Sequence, residues 1–455
     1  MKAPSWKQQV LLVINDLDVR HQSLAVFGKE SRCAVVENGT EAVTQLEKSD
    51  FQVLIIDEKA LVDAHGNSPV SFLELTQYAN QLNQGLTIIV LVNKILSQAG
   101  EFARKSGATL IMDRKDFSTE RMIYVIRVMR KRTFRTVLID DLNIDEMETD
   151  IYHYLPLSDR YAIAFPKNEP FSVARREKLQ ELKISHLFVL EADFNKLVHA
   201  LQEKADQVGG HKPILTQQLS LIRDQYKKTL IALFDVSTDG NIHAGKVLYE
   251  EMMDLVSKIE VLVTSFKDYY ECLEKLPYPR WSTLAHGINS AIYALVFAKI
   301  CNLENTHEIT MAALFHNVGL SEINQSLHDQ SEAEMSIIEL NVYKKHVSAS
   351  LELLKQKRMV IPKTVELAIA QHHENYNGTG FPERLIGEAI SPGARLLSIV
   401  GSFDYFASVK PKQKKKTPSE AWNELKNVQG PSQTLYSKFD PDFIAALDQF
   451  FRPTM

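Results

Sequence analysis

Residues 371–382 read QHHENYNGTGFP. An apolar run ends there in two adjacent histidines and a glutamate, and a turn-rich loop with two aromatic residues follows at once. Neighbouring residues on a helix point about 100° apart, so His372, His373 and Glu374 do not share one partner from a helix face alone. A pair of metal ions, or a helix end, is the natural host for such a triplet.

Outward from this stretch the chain is long and apolar enough for several cores. With 455 residues and 45% hydrophobic content, about three domains are expected. Lys plus Arg is 52 against 57 Asp plus Glu, a net charge of -5, which gives no overall electrostatic ground for nucleic-acid binding. Cys33, Cys272 and Cys301 lie far apart with no CxxC spacing, so neither a zinc knuckle nor a disulfide framework is expected, and a reducing cytoplasm fits. No run approaches the ~18 apolar residues of a membrane helix, so no membrane partner is expected.

Short apolar runs at 10–14 (VLLVI), 51–56 (FQVLII), 86–92 (LTIIVLV) and 109–112 (TLIM) alternate with amphipathic stretches, the pattern of a doubly wound parallel sheet. Ligands of such sheets gather at the carboxyl ends of the strands, where Asn15, Asp16 and Asp57 would converge. The expected layout is an α/β domain at 1–132, a small α/β middle domain at 133–206, a helical connector at 207–275 and an all-helical domain at 276–455. The small domain is read from strand 136–139, helix 173–182, strand 186–190 and helix 194–204. The connector helices, 215–234 and 245–273, carry periodic apolar residues on one face and are expected to pack on the last domain.

Seven of the 14 histidines fall at or after His286. The stretches LAHGINSA (284–291), AALFHNVGL (312–320), YKKHVSAS (343–350), 368–390 and ARLLSIVGSFDYF (394–406) together resemble the HD-GYP branch of the HD phosphohydrolase superfamily. The resemblance implies an all-helical fold holding iron or manganese and acting on cyclic di-GMP. It places His286, His316, His346, His372 and His373 at histidine-ligand positions. Neutral imidazoles bind first-row metals, while carboxylates bridge the ions and offset their charge. Here the family's His-Asp pair is His316-Asn317, and its late metal-binding aspartate falls at Gly401. The pocket thereby lacks both acids, with Glu374 or Asp404 as the candidate substitutes. Leu320 stands where the family has a phosphate-holding lysine.

The loop Gly378, Gly380, Phe381, Pro382 corresponds to the GYP-type loop, with Phe381 in place of tyrosine, and is expected to act in recognition. Lys410 and Lys412, in VKPKQKKK (409–416), stand loosely where the family has basic substrate contacts.

Residues 8–130 resemble a response-regulator receiver domain with Asp57 at the phosphoacceptor position. Only Asp16 remains of the family's acidic pair, and Val92 and either Arg114 or Lys115 replace other switch residues. Magnesium at Asp57 is expected only in a live receiver, and a pseudo-receiver used for docking or dimerisation is the favoured reading. The whole then reads as a cytoplasmic bacterial-type signalling protein with a degenerate HD-GYP output. It would bind cyclic di-GMP or a signalling partner, such as a protein that makes the nucleotide, at a reduced or incomplete iron or manganese site. The alternatives are an active phosphodiesterase with a histidine-rich centre and a metal-free homodimeric scaffold.

Overall fold

The computed structural model describes residues 8–452 except 18, 22–23, 25–30, 62–69, 83–85, 94–97, 115–118, 130–133, 143–147, 171, 208–213, 281, 329, 331, 410–415 and 428–437. The apolar runs form a parallel sheet of β1 (Gln8–Val13), β2 (Ser31–Val36), β3 (Val53–Asp57), β4 (Thr87–Val92) and β5 (Leu110–Asp113). Its order is β2-β1-β3-β4-β5, with every pairing parallel. This is the doubly wound 2-1-3-4-5 arrangement of receiver-type folds. β2, SRCAVV, was not among the expected strands because Ser31 and Arg32 dilute its apolar signal. Pairing with β1 along its whole length supplies what its own residues do not.

Strand residues alternate between the two faces. Leu11, Val13, Leu54 and Ile56 pack with α1 (Gly39–Lys48), α2 (Phe72–Leu82) and α3 (Gln98–Lys105). Val10, Leu12, Val53 and Ile55 face the other way, onto Met122, Val125 and Met129 of α4 (Thr119–Met129). That second core does not end at α4. It runs on into α7 (Leu215–Phe234) and α8 (Ile242–Thr264) and from there into the C-terminal helices.

A second sheet, ordered β6-β9-β7-β8, is antiparallel. β6 (Phe134–Leu138) and β9 (His186–Leu190), with α5 (Val173–Glu181) and α6 (Phe194–Gln207), follow the sequence expectation. The hairpin of β7 (Ile151–Leu155) and β8 (Arg160–Phe165) is additional. It gathers Phe134, Tyr152, Tyr154, Tyr161 and Phe188 into one aromatic face. Arg280 docks there, its guanidinium 4.4 Å from the Tyr154 ring centre, a cation–π contact that joins this sheet to the last helical region.

After α9 (Tyr269–Lys275) come α10 (Thr283–Ile300), α11 (Thr306–Phe315), α12 (Ile337–Tyr343), α13 (Lys345–Gln356), α14 (Lys363–Gln371), α15 (Pro392–Ala407), α16 (Pro418–Asn427) and α17 (Pro441–Phe451). α10 is apolar nearly all round and, apart from His286, buried from Leu284 to Ala298, which makes it the central post of the bundle. Lys357, just after α13, is 2% exposed and donates to the Asp235 carbonyl, Thr238 Oγ1 and Asp239 in the turn between α7 and α8. Arg104 of α3 reaches the Asp235 carboxylate at 2.7 Å, so one polar knot ties all three regions together. Among the described residues, no helix is long and apolar enough to cross a membrane.

Candidate metal centre

The five histidines singled out in the sequence come together at helix ends. His286 lies in the first turn of α10, behind the Ser282 cap. His316 and His372 are the C-cap residues of α11 and α14, and His346 is the second residue of α13. Ring centres run from His286 to His316 (5.2 Å), to His372 (5.0 Å) and on to His373 (4.2 Å), with His346 4.9 Å from His373.

Carbonyl oxygens only accept hydrogen bonds, and this fixes three tautomers. Nδ1 of His316 donates to Ala313 O at 2.8 Å, that of His346 to Tyr343 O at 2.6 Å, and that of His372 to Ile369 O at 2.7 Å. Each is a contact three residues back in the chain, within the helix end for His316 and His372 and to the last residue of α12 for His346. His286 donates Nδ1–H to Asp404 Oδ2 at 2.6 Å, and the fully buried Asp404 accepts on Oδ1 from Asn289 and Ser408. His373 Nδ1 meets Glu332 Oε1 at 2.8 Å. All five rings therefore keep Nε2 as the lone-pair atom.

Burial first, and neighbouring imidazoles second, depress the basicity of His316 and His372 well below the usual histidine range. The same two causes bring His346 down to about 3. Neutral imidazole is the metal-ligating form. The Nε2 atoms of His346 and His372 stand 3.4 Å apart, and those of His286 and His316 3.3 Å apart. Lone pairs facing each other repel in isolation. With metal–nitrogen bonds of about 2.0–2.1 Å, two imidazoles on adjacent vertices of one ion stand roughly 3–3.5 Å apart, so the spacing fits a shared cation. Ligand atoms of His346, His372 and His373 all lie within 4.8 Å of one another. Asn317 Nδ2 lies 2.9 Å from His286 Nε2 and its buried Oδ1 has no hydrogen-bond partner; a half-turn of the amide would release the His286 lone pair and set Oδ1 toward a shared cation. The residues present therefore fit a divalent ion.

Glu374 and Asp404, the acids considered as substitute ligands, have other partners. Glu374, 1% exposed, accepts from the backbone N–H groups of Glu383, Arg384 and Leu385, so its carboxylate staples the following loop and is not a ligand. Asp404 acts from behind His286. A Cβ built on Gly401 meets nothing within 4 Å.

Phe381 is 6% exposed and stacks on His373 at 4.5 Å and 13° between planes, with Lys344 Nζ 5.1 Å from its centre. Its ring is a wall of the histidine pocket. Gly378 has φ 79, and a Cβ on Gly380 would meet Asn375 N at 2.2 Å, so both glycines are needed to fold the loop back. Pro382 stays on the surface. Lys410 and Lys412 lie outside the described residues.

Asp57 and Asp16 are brought together at the end of the parallel sheet, with Arg114 between them. The guanidinium is 2.9 Å from Oδ2 of each carboxylate. A fixed cation thus stands between the acids that a receiver would offer to a divalent ion. Burial raises the Asp57 pKa, and Arg114 works against that rise.

Sequence reasoning missed Glu332 and Tyr124. Tyr124 comes from α4 and lines a small cavity with Tyr226, His286, His316, Asn317 and Leu320. On the same helix Arg121 pairs with Glu322 at 2.6 Å, five residues beyond Asn317. Neither residue has a spacing or motif that marks it, since each reaches the centre from a distant part of the chain.

The matched family model is that of the HD domain, over residues 280–434, and this C-terminal region is an HD domain. Its relatives are cyclic-dinucleotide phosphodiesterases. The chain is 31% identical over 148 residues to the cyclic di-GMP phosphodiesterase response regulator RpfG of Xanthomonas campestris, covering 32% of this chain and 36% of that protein. It is 28% identical over 156 residues to the 3'3'-cGAMP-specific phosphodiesterase 2 of Vibrio cholerae, covering 34% and 28%. The match thus spans about a third of those relatives. Among solved structures it is similar to Bd1817, an HDG"Y"P protein from Bdellovibrio bacteriovorus, with a TM-score of 0.40, 19% identity and coverage of 70% of this chain and 98% of that one.

Proposed function

We propose that the helical region binds a divalent first-row metal ion, iron or manganese, together with a cyclic dinucleotide, and that it hydrolyses the nucleotide weakly. The observation that carries this reading is the array of five imidazoles with Nε2 turned inward and Nδ1 held from outside. His346, His372 and His373 would hold one ion, and His286, His316 and Asn317 would form the adjoining half of the site. A bound ion would supply Lewis acidity toward a phosphodiester. The chain's own part is to fix the imidazoles in the neutral tautomer and to wall the pocket with Phe381 and Leu320. Weak turnover follows from chemistry: Asn317 is a neutral amide and Gly401 has no side chain, where bridging carboxylates would offset the charge of two cations. The named substrates of the relatives, cyclic di-GMP and 3'3'-cGAMP, share the cyclic dinucleotide skeleton that defines the ligand class.

With this output, the N-terminal unit serves as a fixed docking and signalling module. Support comes from Arg114 between Asp16 and Asp57 and from the continuous core through α4. A protein partner, such as one that makes the nucleotide, and a homodimer belong to the same proposal.

The test is elemental analysis of protein purified without chelators or nickel affinity, followed by calorimetry and turnover with cyclic di-GMP and 3'3'-cGAMP. Bound metal and nucleotide with turnover near background is the expected result. Efficient turnover abolished in His372→Ala would establish a working phosphodiesterase instead. Absence of both ligands would establish a scaffold.

A further inference from the structure

The two ends of the histidine array differ from its middle. His316, His346 and His372 give their Nδ1 protons to backbone carbonyls, whereas the terminal rings, His286 and His373, meet carboxylates: Asp404 Oδ2 at 2.6 Å and Glu332 Oε1 at 2.8 Å. Asp404 lies on α15 inside the bundle. Glu332 arrives from a short 3-10 turn, Glu332–Glu334, in the connection between α11 and α12. Nearby contacts anchor that connection on both sides. His328 Nε2 bonds Ile323 O at 3.1 Å, and Ser336 and Glu339 form a reciprocal capping box at the start of α12.

A carboxylate behind a ligating imidazole fixes the ring and raises its basicity, and the negative charge reaches the ion through the ring. We propose that Glu332 is a positioning carboxylate for the His346–His372–His373 triad, orienting His373 and returning to the site, from outside, charge that Asn317 and Gly401 do not supply. This rests on the metal-binding reading above. The Glu332 carboxyl meets His373 at 2.8 Å, and His346, Lys438 and Tyr343 are its other titratable neighbours. Its side chain is 42% exposed, against 16% for His373, so the opposing reading is a plain surface ion pair.

The experiment is competition of Mn2+ against a chromophoric chelator on the full chain, in wild type, Glu332→Gln, Glu332→Ala and, as a control on the same turn, Glu334→Gln. Outer partners of metal-bound histidines typically carry about 10–100-fold in affinity. Glu332→Gln, which keeps an acceptor and removes the charge, is expected to weaken binding at least about tenfold, Glu332→Ala more, and Glu334→Gln not at all. In the metal-free protein, ring 15N shifts are expected to place the His373 proton on Nδ1, a preference that Glu332→Ala abolishes. Wild-type affinity in Glu332→Gln, or an unchanged His373 tautomer in Glu332→Ala, overturns the inference alone. A wild-type chain that binds no Mn2+ overturns the metal reading and this inference with it.

Discussion

His346 and His372 aim their Nε2 atoms at each other across 3.4 Å, and each has already given its Nδ1 proton to a carbonyl three residues back. Two acceptors held this way form no hydrogen bond with one another, so the pair is poised for a cation and inert without one. Replacing His372 by alanine is expected to remove at least one equivalent of bound Mn2+ in elemental analysis. The far-UV spectrum should stay unchanged, because His372 caps α14 rather than lying inside it.

Acidification should unfold the metal-free chain. The folded-state pKa of His346 is depressed to about 3, first by burial, and those of His316 and His372 are depressed as well, while the unfolded value is 6.5. The unfolded state therefore binds more protons in this window. The stability contributed by neutral His346 is complete above pH 6.5 and drains away as pH falls toward 3, each tenfold difference in proton affinity between the folded and unfolded chain carrying about 1.4 kcal/mol. Urea midpoints of chelator-treated protein at pH 7.5, 6 and 5 should fall steadily, and the slope should flatten in His346→Asn.

Asn317→Asp restores a carboxylate beside His286 and His316. Mn2+ affinity should rise tenfold or more, about 1.4 kcal/mol, and turnover of cyclic di-GMP should rise above that of the wild type. The double change with Gly401→Asp should add to it, since a side chain there meets open space at its first atom. Chelator competition and product chromatography read both effects.

Arg114 should keep the N-terminal unit silent. Incubation with acetyl phosphate is expected to give no mass gain at Asp57, because the guanidinium stands 2.9 Å from both Asp16 and Asp57. Arg114→Ala strips the buried Asp57 of its counter-charge, at a cost of about 3–5 kcal/mol measured by urea unfolding.

Lys357→Ala should loosen the joint between the three regions. The lysine is buried, and its loss leaves the Asp235 carbonyl and Asp239 without their shared donor. A destabilisation of about 3–5 kcal/mol is expected, read as a lower urea midpoint.

Much of the architecture was legible in the residues. Four of the five strands of the parallel sheet announced themselves as apolar runs, and His286, His316, His346, His372 and His373 were picked out by order and context. Strands β2, β7 and β8 were not, because pairing along a neighbour compensates for weak or mixed patterns. The loop after His373 was legible in its glycines but not in its direction. Nothing local in Phe381 says that its ring turns inward onto His373.

The amino-acid sequence by itself determined which groups can stand in the pocket, since a neutral amide at Asn317 and the absence of a side chain at Gly401 are matters of identity alone. Only the tertiary structure decided which charged groups stand against which partners. Glu332, Asp404 and Arg114 act on partners 41, 118 and 57 residues away in the chain. Ion pairs of that kind form through space, so spacing along the chain carries no trace of them. Packing of α4 against the helical region likewise came from complementary apolar faces that each element carries separately.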